Sequence, residues 1–226
     1  MSKLLDQKIL GQVRDALADL KEPVRVIYFG SQQNCDYCDD TRELLEGVVS
    51  TSDKLSLDVH DIEADAELAK KYNVDKAPGV VIAVQDGEKT VDHGIRYAGI
   101  PAGHEFSALI NDLLLVGGRD SRLSDETRSA LKELQQPVRL QVFVTPSCPY
   151  CSRAVILAHQ MALESPLVQA EMVEATEFPE LAERYDVSGV PHTTINDGAG
   201  TMIGAAPESH LMAEIMRALS SPVSAN

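Results

Sequence analysis

The chain has 226 residues, of which 44% are hydrophobic and 24% are charged, and its net charge is −15. Without a basic stripe to neutralise phosphates, this acidity excludes nucleic acid and an anionic membrane as expected partners. No segment approaches the roughly 20 apolar residues of a membrane span, and Asp6 and Lys8 interrupt the apolar stretch that a signal peptide needs, so we expect a cytoplasmic protein.

Helical and strand patterns alternate through the first half of the chain. In chain order they predict a helix (about 4–20), a strand (24–30), a helix opened by a Cys pair (35–49), a strand (55–62), a short helix (64–72), a Val-x-x-x-Pro turn (74–78), two strands around Asp86-Gly87 (79–84 and 88–95) and a closing helix (103–115). Strands that alternate with helices indicate a parallel sheet segment, and the closing hairpin adds antiparallel strands.

The second half repeats this order. Its predicted elements are a helix (124–135), a strand (138–144), a helix opened by a Cys pair (148–164), a strand (167–174), a short helix (177–185), a turn (187–191), two strands around Asp197-Gly198 (192–196 and 200–204) and a closing helix (207–219). Gly117-Gly118 is predicted to be a flexible pair between two helical patterns, which places a domain boundary there. The predicted units are 1–117 and 118–226.

A constant spacing shows that these two halves are a duplication. The segments ELAKKYNVDKAP at 67–78 and ELAERYDVSGVP at 180–191 are identical at six of twelve positions. Their offset of 113 residues equals the offset between Cys35 and Cys148, and between Cys38 and Cys151. Two landmarks that share one offset indicate a repeated structural unit.

Each unit carries one Cys-x-x-Cys pair. Cys35 and Cys148 fall at strand-to-helix transitions, and Cys38 and Cys151 follow three residues later, so the two sulfurs of a pair can reach bonding distance. The N–H groups and the dipole of a helix N-terminus favour a thiolate at the first Cys. We therefore predict Cys35 and Cys148 as nucleophiles, and Cys38 and Cys151 as the resolving cysteines.

Two such pairs can instead ligate one zinc ion. About 110 residues separate the pairs, however, and each lies inside its own complete strand–helix unit. We therefore expect redox-active disulfides and no metal site. No Gly-rich dinucleotide fingerprint follows a strand, so no further cofactor is expected.

The charges around the two pairs differ. Asp36, Asp39 and Asp40 flank Cys35, whereas no acidic residue is close to Cys148 in sequence. Such carboxylates suit a helix N-terminus, where they act as caps. Each like charge at about 4 Å nevertheless costs a thiolate about 1 kcal/mol in water. We predict that Cys148 is the more reactive nucleophile and that its pair is the main site.

Together these residues resemble the thioredoxin/glutaredoxin family. A strand, a Cys-x-x-Cys pair opening a helix, and a Val-x-x-x-Pro turn before the next strand are that family's pattern, and Cys148-Pro-Tyr-Cys151 has the glutaredoxin form. Two units with intact pairs resemble the protein disulfide oxidoreductases described mainly from thermophilic microbes. The resemblance covers nearly the whole chain. It implies the α/β class with two tandem thioredoxin-like folds, each a central mixed β-sheet flanked by helices.

The resemblance also implies which residues contact a substrate. Both prolines of the Val-x-x-x-Pro turns are expected to be cis and to pack beside the Cys pairs. The residue before each proline is expected to offer backbone hydrogen bonds to an extended substrate. The implied substrate-binding residues are Ala77, Pro78, Val190, Pro191, Tyr37 and Tyr150. A surface role is the alternative for the two tyrosines, and His192 is a lesser candidate for the second site.

The chain departs from thioredoxins in one respect that matters for chemistry. Thioredoxins carry a buried carboxylate six residues before the first Cys, as a proton acceptor for the resolving thiol. Phe29 and Val142 occupy those positions here, and the chain has no Trp to flank either pair. The proton acceptor is therefore unassigned.

Three functions fit these features. The leading hypothesis is an enzyme that reduces, oxidises or isomerises protein disulfides by mixed-disulfide exchange, with a thioredoxin-reductase-like flavoprotein and a peroxiredoxin as further expected partners. The second is an electron relay from a flavoprotein to a peroxiredoxin. The tandem-thioredoxin part of alkyl hydroperoxide reductase flavoproteins has this layout, although one of its units has lost its Cys pair. The third is a non-catalytic peptide-binding or chaperone module.

Overall fold

A computed structural model describes residues 4–220 of the chain, so the ends of the two predicted units, 1–3 and 221–226, lie outside the described residues. Helices and strands alternate along it, and a short 3-10 turn (Leu17–Asp19) follows the first helix. The helices are α1 (Gln7–Ala16), α2 (Cys38–Val49), α3 (Ala66–Lys71), α4 (Glu105–Gly118), α5 (Asp125–Lys132), α6 (Cys151–Glu164), α7 (Pro179–Arg184) and α8 (Glu208–Ser220). The strands are β1 (Val24–Gly30), β2 (Leu55–Asp61), β3 (Gly79–Asp86), β4 (Lys89–Ala98), β5 (Val138–Val144), β6 (Val168–Glu174), β7 (His192–Ile195) and β8 (Gly200–Ile203).

All eight strands form one mixed sheet, in the order β2-β1-β3-β4-β6-β5-β7-β8. The α/β class and the mixed sheet flanked by helices are confirmed. The two halves meet in a parallel pair in which Ile95 to Ala98 of β4 lie opposite Ala170 to Val173 of β6. β4 continues to Ala98, three residues beyond its predicted end, because its last four residues pair with β3 on one side and with β6 of the second half on the other.

Helices cover both faces of the sheet. The larger core lies on the side of α1, α2, α4, α6 and α8, where it runs through both halves without interruption. On the opposite face, α3 and α7 cover two small clusters centred on Phe29 and Phe143. The first strand of each half is accordingly buried on both faces except at one position, as in a sheet covered by helices on both sides.

Gly117 and Gly118 do not form a flexible linker. Both lie inside α4, which ends at Arg119 in the left-handed conformation. Gly117 is buried, and its carbonyl accepts a hydrogen bond from the Glu22 N–H at 3.0 Å. A Cβ at this position would lie 2.5 Å from Leu20 Cδ1. The glycine therefore permits close packing of α4, and the division into units 1–117 and 118–226 stays a prediction.

No helix among residues 4–220 combines the length and the apolar character needed to cross a lipid bilayer.

Candidate functional site

Each Cys-x-x-Cys pair forms a disulfide. Cys35 is bonded to Cys38 and Cys148 to Cys151, with the two Cα atoms 5.5 Å apart in both pairs. This separation is typical of disulfides. All four sulfurs are thus committed to S–S bonds, and no group of three or more His, Cys, Asp or Glu within 4–220 is placed to hold a metal ion.

The two helices begin later than predicted. α2 begins at Cys38 and α6 at Cys151, not at the first cysteines, because Tyr37 and Tyr150 occupy the N-cap positions. A tight turn precedes the helix at the second pair, where the Cys151 N–H points to the Cys148 carbonyl at 3.4 Å. The first Cys of each pair therefore lies just outside the helix, close to N–H groups that have no partner within it.

Burial distinguishes the two sulfurs of each pair. Cys151 is fully buried, whereas 8% of Cys148 is exposed. Cys38 is 6% exposed, and Cys35 is only half-buried. A partner molecule therefore reaches the first Cys of each pair more easily, which agrees with the assignment of Cys35 and Cys148 as nucleophiles. That assignment itself stays a prediction.

Both predicted turn prolines follow cis peptide bonds, Ala77–Pro78 and Val190–Pro191, as the resemblance implied. In the second half, the Cys148 Sγ atom lies 3.7 Å from the Val190 carbonyl oxygen. In the oxidised pair this sulfur carries no proton, but the reduced thiol can donate a weak hydrogen bond to that carbonyl. The fold thus brings Val190 beside the second disulfide.

An open groove runs to Val190 and has a volume of about 800 Å³. Thr145, in the loop before Cys148, forms one wall, and the turn from Val187 to Val190 forms another. Its location beside the second disulfide suits an extended segment of a partner protein. The role of Val190 and Pro191 in substrate binding stays a prediction.

The two tyrosines between the cysteines point outward. Tyr37 is 44% exposed and Tyr150 is 63% exposed. Large exposed aromatic side chains are common anchors in protein interfaces. Both tyrosines are therefore accessible to a partner that approaches the disulfide, and their role in substrate binding stays a prediction.

His192 occupies a core position. Its side chain is buried and packs edge-on against Phe143, with the ring centroids 6.2 Å apart. Neither ring nitrogen has a hydrogen-bond partner among the described residues. Burial lowers the pKa of His192, which favours the neutral imidazole.

Glu105, a buried carboxylate at the start of α4, was not predicted from the sequence. Both of its oxygens lack a hydrogen-bond partner among residues 4–220. Burial raises its pKa to about 7, and the nearby charge of Glu174 adds to the effect. The preceding residue, His104, donates its N–H to the Pro146 carbonyl at 3.1 Å. The first half therefore places an unpaired acid close to the loop that leads to Cys148.

Glu177, after β6, belongs to the same region. Its Oε1 atom accepts a hydrogen bond from the Ile100 N–H at 2.7 Å, across the junction of the halves. Burial raises the pKa of Glu177 to about 7, and Glu174 contributes here as well. No local pattern could have identified these acids, because the burial that raises the pKa of each arises only in the folded protein.

The model of the thioredoxin domain family matches residues 138–217. A protein disulfide oxidoreductase from Aeropyrum pernix K1 is 32% identical in sequence, and its structure superimposes with a TM-score of 0.85 over 95% of this chain and 94% of that chain. The alkylhydroperoxide reductase AhpF from Enterococcus faecalis also has a TM-score of 0.85, over 94% of this chain and 100% of that chain; at 23% identity this is a likeness in fold.

Curated sequences give a second set of relatives. An alkyl hydroperoxide reductase of Pseudomonas aeruginosa is 26% identical over 85% of this chain, and this similarity covers 34% of the relative's length. An NADH dehydrogenase of Bacillus subtilis is 24% identical over 74% of this chain and 30% of its own length. This chain therefore spans about a third of the length of the curated relatives that it matches.

Proposed function

This chain belongs to the thioredoxin superfamily, and on that basis we propose that it is a thiol–disulfide oxidoreductase that acts on protein disulfides. The observation that carries this proposal is the presence of two formed disulfides, each between a strand and a helix of a thioredoxin-like half that also contains a cis proline. The similarity to a protein disulfide oxidoreductase over nearly the whole chain supports the same activity.

The proposed exchange at the second pair has two steps. In the reduced protein, the Cys148 thiolate attacks a disulfide sulfur of the partner, a mixed disulfide forms, and one partner thiolate leaves. The Cys151 thiolate then attacks the Cys148 sulfur, which closes the Cys148–Cys151 bond and releases the second partner thiolate. The partner gains two electrons, this pair loses two, and protons pass to the released thiolates according to their pKa values. The chemistry requires no cofactor besides the disulfides.

We propose the Cys148–Cys151 pair as the main site. It has no neighbouring acidic residue in sequence that opposes a Cys148 thiolate, and it borders the groove at Val190. The expected substrates are protein disulfides, and the expected location is the cytoplasm, where cysteines that are not structural remain available for exchange.

Insulin reduction by dithiothreitol tests this proposal. We expect the unaltered chain to accelerate it, the Cys148→Ser variant to lose most of that acceleration, and the Cys35→Ser variant to retain more than half of it. A Cys148→Ser chain with full activity would contradict the choice of main site. A third variant has all four cysteines changed to Ser. If it binds client proteins fully and loses no biological activity, the chain is a non-catalytic peptide-binding module.

A second candidate, the electron relay, is favoured by the curated relatives. The similarity to the alkyl hydroperoxide reductase of Pseudomonas aeruginosa extends over most of this chain but only a third of that protein. If this chain is a relay, it takes electrons from a separate flavoprotein and passes them to a peroxiredoxin. We would measure peroxide consumption with thioredoxin reductase, NADPH, this chain and a peroxiredoxin. Peroxide turnover that depends on this chain supports the relay, whereas insulin reduction without peroxide turnover argues against it.

A further inference from the structure

The loop in front of the first disulfide differs from its counterpart by one residue. β1 ends at Gly30, five positions before Cys35, whereas β5 ends at Val144, four positions before Cys148. Asn34, in the longer loop, adopts a positive φ of 52°, a conformation that Asn tolerates better than most residues. We call residues 31–34 the Ser31 loop.

Two hydrogen bonds from this region hold Cys38. The Ser31 N–H donates to the Cys38 Sγ atom at 3.2 Å. On the other side, the Tyr28 hydroxyl donates to the Cys38 carbonyl oxygen at 2.7 Å. Burial, together with the charge of Asp39, raises the pKa of Tyr28 to about 12, so this hydroxyl remains a donor at neutral pH. Cys38 is therefore fixed at both its backbone and its sulfur.

Glu63 in turn fixes Ser31. The Ser31 hydroxyl can donate its single proton to Glu63 Oε1 at 2.8 Å or to the Gln33 carbonyl oxygen at 3.0 Å, and it accepts a hydrogen bond from the Gln33 N–H at 2.9 Å. Glu63 lies just after β2, and the neighbouring Ile62 N–H donates to the Gly30 carbonyl at 2.8 Å. A carboxylate acceptor makes the Ser31 hydroxyl bond stronger than a neutral one. The direction of the Ser31 N–H thus depends on Glu63.

The second pair lacks this arrangement. Within 4–220, no N–H donates to the Cys151 sulfur. Thr145 is the first residue after β5, and Thr176 corresponds to Glu63 in the repeat, but the Thr176 hydroxyl donates to Glu174 Oε2 at 2.6 Å instead. A polar atom beside the second disulfide is the Val190 carbonyl oxygen, an acceptor. The first pair therefore has a donor at its second sulfur, and the second pair has an acceptor at its first sulfur.

We propose that Ser31 and Glu63 are positioning residues that make Cys38 the leaving-group sulfur of the first pair. A partner thiolate attacks Cys35 Sγ and forms a mixed disulfide. The Cys35–Cys38 bond breaks, and its electron pair goes to Cys38 Sγ, where the Ser31 N–H stabilises the new thiolate. A second partner thiolate then attacks the partner sulfur of the mixed disulfide and releases the Cys35 thiolate. The partner dithiol has lost two electrons, and the first pair has gained them.

The hydrogen bond from Ser31 affects the equilibrium between the disulfide and the dithiol of the first pair, as well as the choice of leaving sulfur. A hydrogen bond that exists most strongly in the reduced state stabilises that state, so it makes the disulfide easier to reduce. A carboxylate that acted only through its charge would have the opposite effect, because it disfavours a nearby thiolate. If Glu63 acts by holding Ser31, its removal makes the first pair harder to reduce. If Glu63 acts only through its charge, its removal makes the first pair easier to reduce.

The inference rests on the proposed thiol–disulfide exchange, and its test uses the full chain. The protein is equilibrated in buffers with graded ratios of reduced to oxidised dithiothreitol, the thiols are alkylated, and each pair is quantified separately by mass spectrometry. The variants are Ser31→Ala, Glu63→Ala and Glu63→Gln. Glu67→Ala is the matched control, since it removes an exposed carboxylate from the same region without touching Ser31.

We expect Ser31→Ala and Glu63→Ala to lower the equilibrium constant for reduction of the first pair by about threefold to tenfold, where tenfold corresponds to about 30 mV for a two-electron couple. Glu63→Gln keeps an acceptor for the Ser31 hydroxyl, so its equilibrium constant should lie between those of the two Ala variants and that of the unaltered chain. In these variants, the equilibrium constant for reduction of the second pair should stay within about twofold of its value in the unaltered chain. In the Glu67→Ala chain, the constants of both pairs should stay within the same limit. If the first pair is unchanged or easier to reduce in the Ser31→Ala and Glu63→Ala chains, the inference is wrong, and the proposed function is unaffected. A first pair that dithiothreitol never reduces in the unaltered chain overturns the proposed function of that pair as well.

Discussion

Asp36, Asp39 and Asp40 are exposed side chains around the first disulfide, and the corresponding segment of the second pair contains Pro149, Tyr150 and no acid. Solvent screens the exposed carboxylates, so their effect on the Cys35 thiolate is modest. Each of them nevertheless disfavours the thiolate and so raises the pKa of Cys35. The difference between the two nucleophiles is therefore set by individual charges rather than by the fold, which both halves share.

The thiolate pKa of each nucleophile tests this difference. We expect the rate of iodoacetamide alkylation to show a lower pKa for Cys148 than for Cys35, by about one pH unit. The measurement follows the alkylation rate of each cysteine against pH, with mass spectrometry to separate the sites. Replacing Asp36 by Asn should lower the pKa of Cys35 and leave that of Cys148 unchanged. Equal pKa values, or a reversed order, would refute the prediction.

Glu105 predicts a pH dependence of stability. Its pKa is raised to about 7 in the folded protein, whereas an unfolded chain has an ordinary Glu pKa of about 4.3. Because the folded state holds the proton more tightly, the stabilising contribution is complete below about pH 4 and is lost as the pH rises through about 7. Glu177 contributes in the same direction and over the same window.

We therefore expect Glu105→Gln to raise the free energy of unfolding by roughly 1–3 kcal/mol at about pH 8, and to change it much less at about pH 4. Urea unfolding at the two pH values measures this effect. Glu88→Gln is the control, because Glu88 is exposed in the turn between β3 and β4. A Glu105→Gln chain that shows the same pH dependence as the unaltered protein would falsify this explanation.

At the scale of elements, α4 has the most consequential contacts. Its first turn contributes Glu105 near the second pair, and its last turn packs on the segment that precedes β1. Asp112, in the middle of α4, contacts two other elements. Its Oδ2 atom accepts a hydrogen bond from the Tyr97 hydroxyl of β4 and lies 2.6 Å from the Nδ1 atom of His159 in α6. All three side chains are buried, so this helix links the halves through polar contacts inside the core.

Two neighbouring glycines of α4 allow a matched test of its packing. Gly117→Ala should lower the free energy of unfolding by roughly 1–3 kcal/mol, because the added methyl group meets the buried Leu20 side chain and the Glu22 carbonyl. Gly118→Ala should be neutral, or stabilise by up to about 1 kcal/mol, because no neighbouring atom of residues 4–220 lies within 4 Å of its Cβ position and Ala favours a helix. Thermal and urea unfolding measure both variants. Equal losses of stability would contradict the packing argument.

At the scale of the whole molecule, the parallel pair of β4 and β6 turns two repeated units into a single sheet. A unit cut at the predicted boundary would expose β6 as an edge strand, although six of its seven residues are buried in the full chain. Unpaired edge strands invite association with other chains. The halves therefore depend on one another despite their common design.

We expect the fragment 118–226 to be less stable than the full chain and to self-associate, whereas a fragment of residues 89–226, which keeps β4 and α4, should recover part of that stability. Urea unfolding and sedimentation measure the two properties. If 118–226 unfolds at the same midpoint as the full chain and stays monomeric, the second unit folds independently, and the role assigned to the junction is wrong.

The sequence by itself determined the repeat, the α/β class, both Cys-x-x-Cys pairs and the two Val-x-x-x-Pro turns, because each of these depends on residues that are close in the chain. The cis state of the two prolines was implied only by the family resemblance. Strand and helix periodicity and the fixed spacing of two cysteines are local properties. Even locally, the start of α2 and α6 was wrong by three residues, since the tyrosines, not the first cysteines, occupy the N-caps.

Only the tertiary structure decided that the sheet is continuous, that Glu105 of the first half lies near the loop of the second pair, and that the Ser31 N–H bonds to Cys38. These contacts join residues that are separated in sequence, so no periodic pattern encodes them. The Ser31–Cys38 bond forms within the first half. The continuous sheet and the position of Glu105 arise because the paired edges of β4 and β6, and the packed faces of α4 and α6, bury surfaces that neither half can bury alone. The burial that results is also what raises the pKa of Glu105.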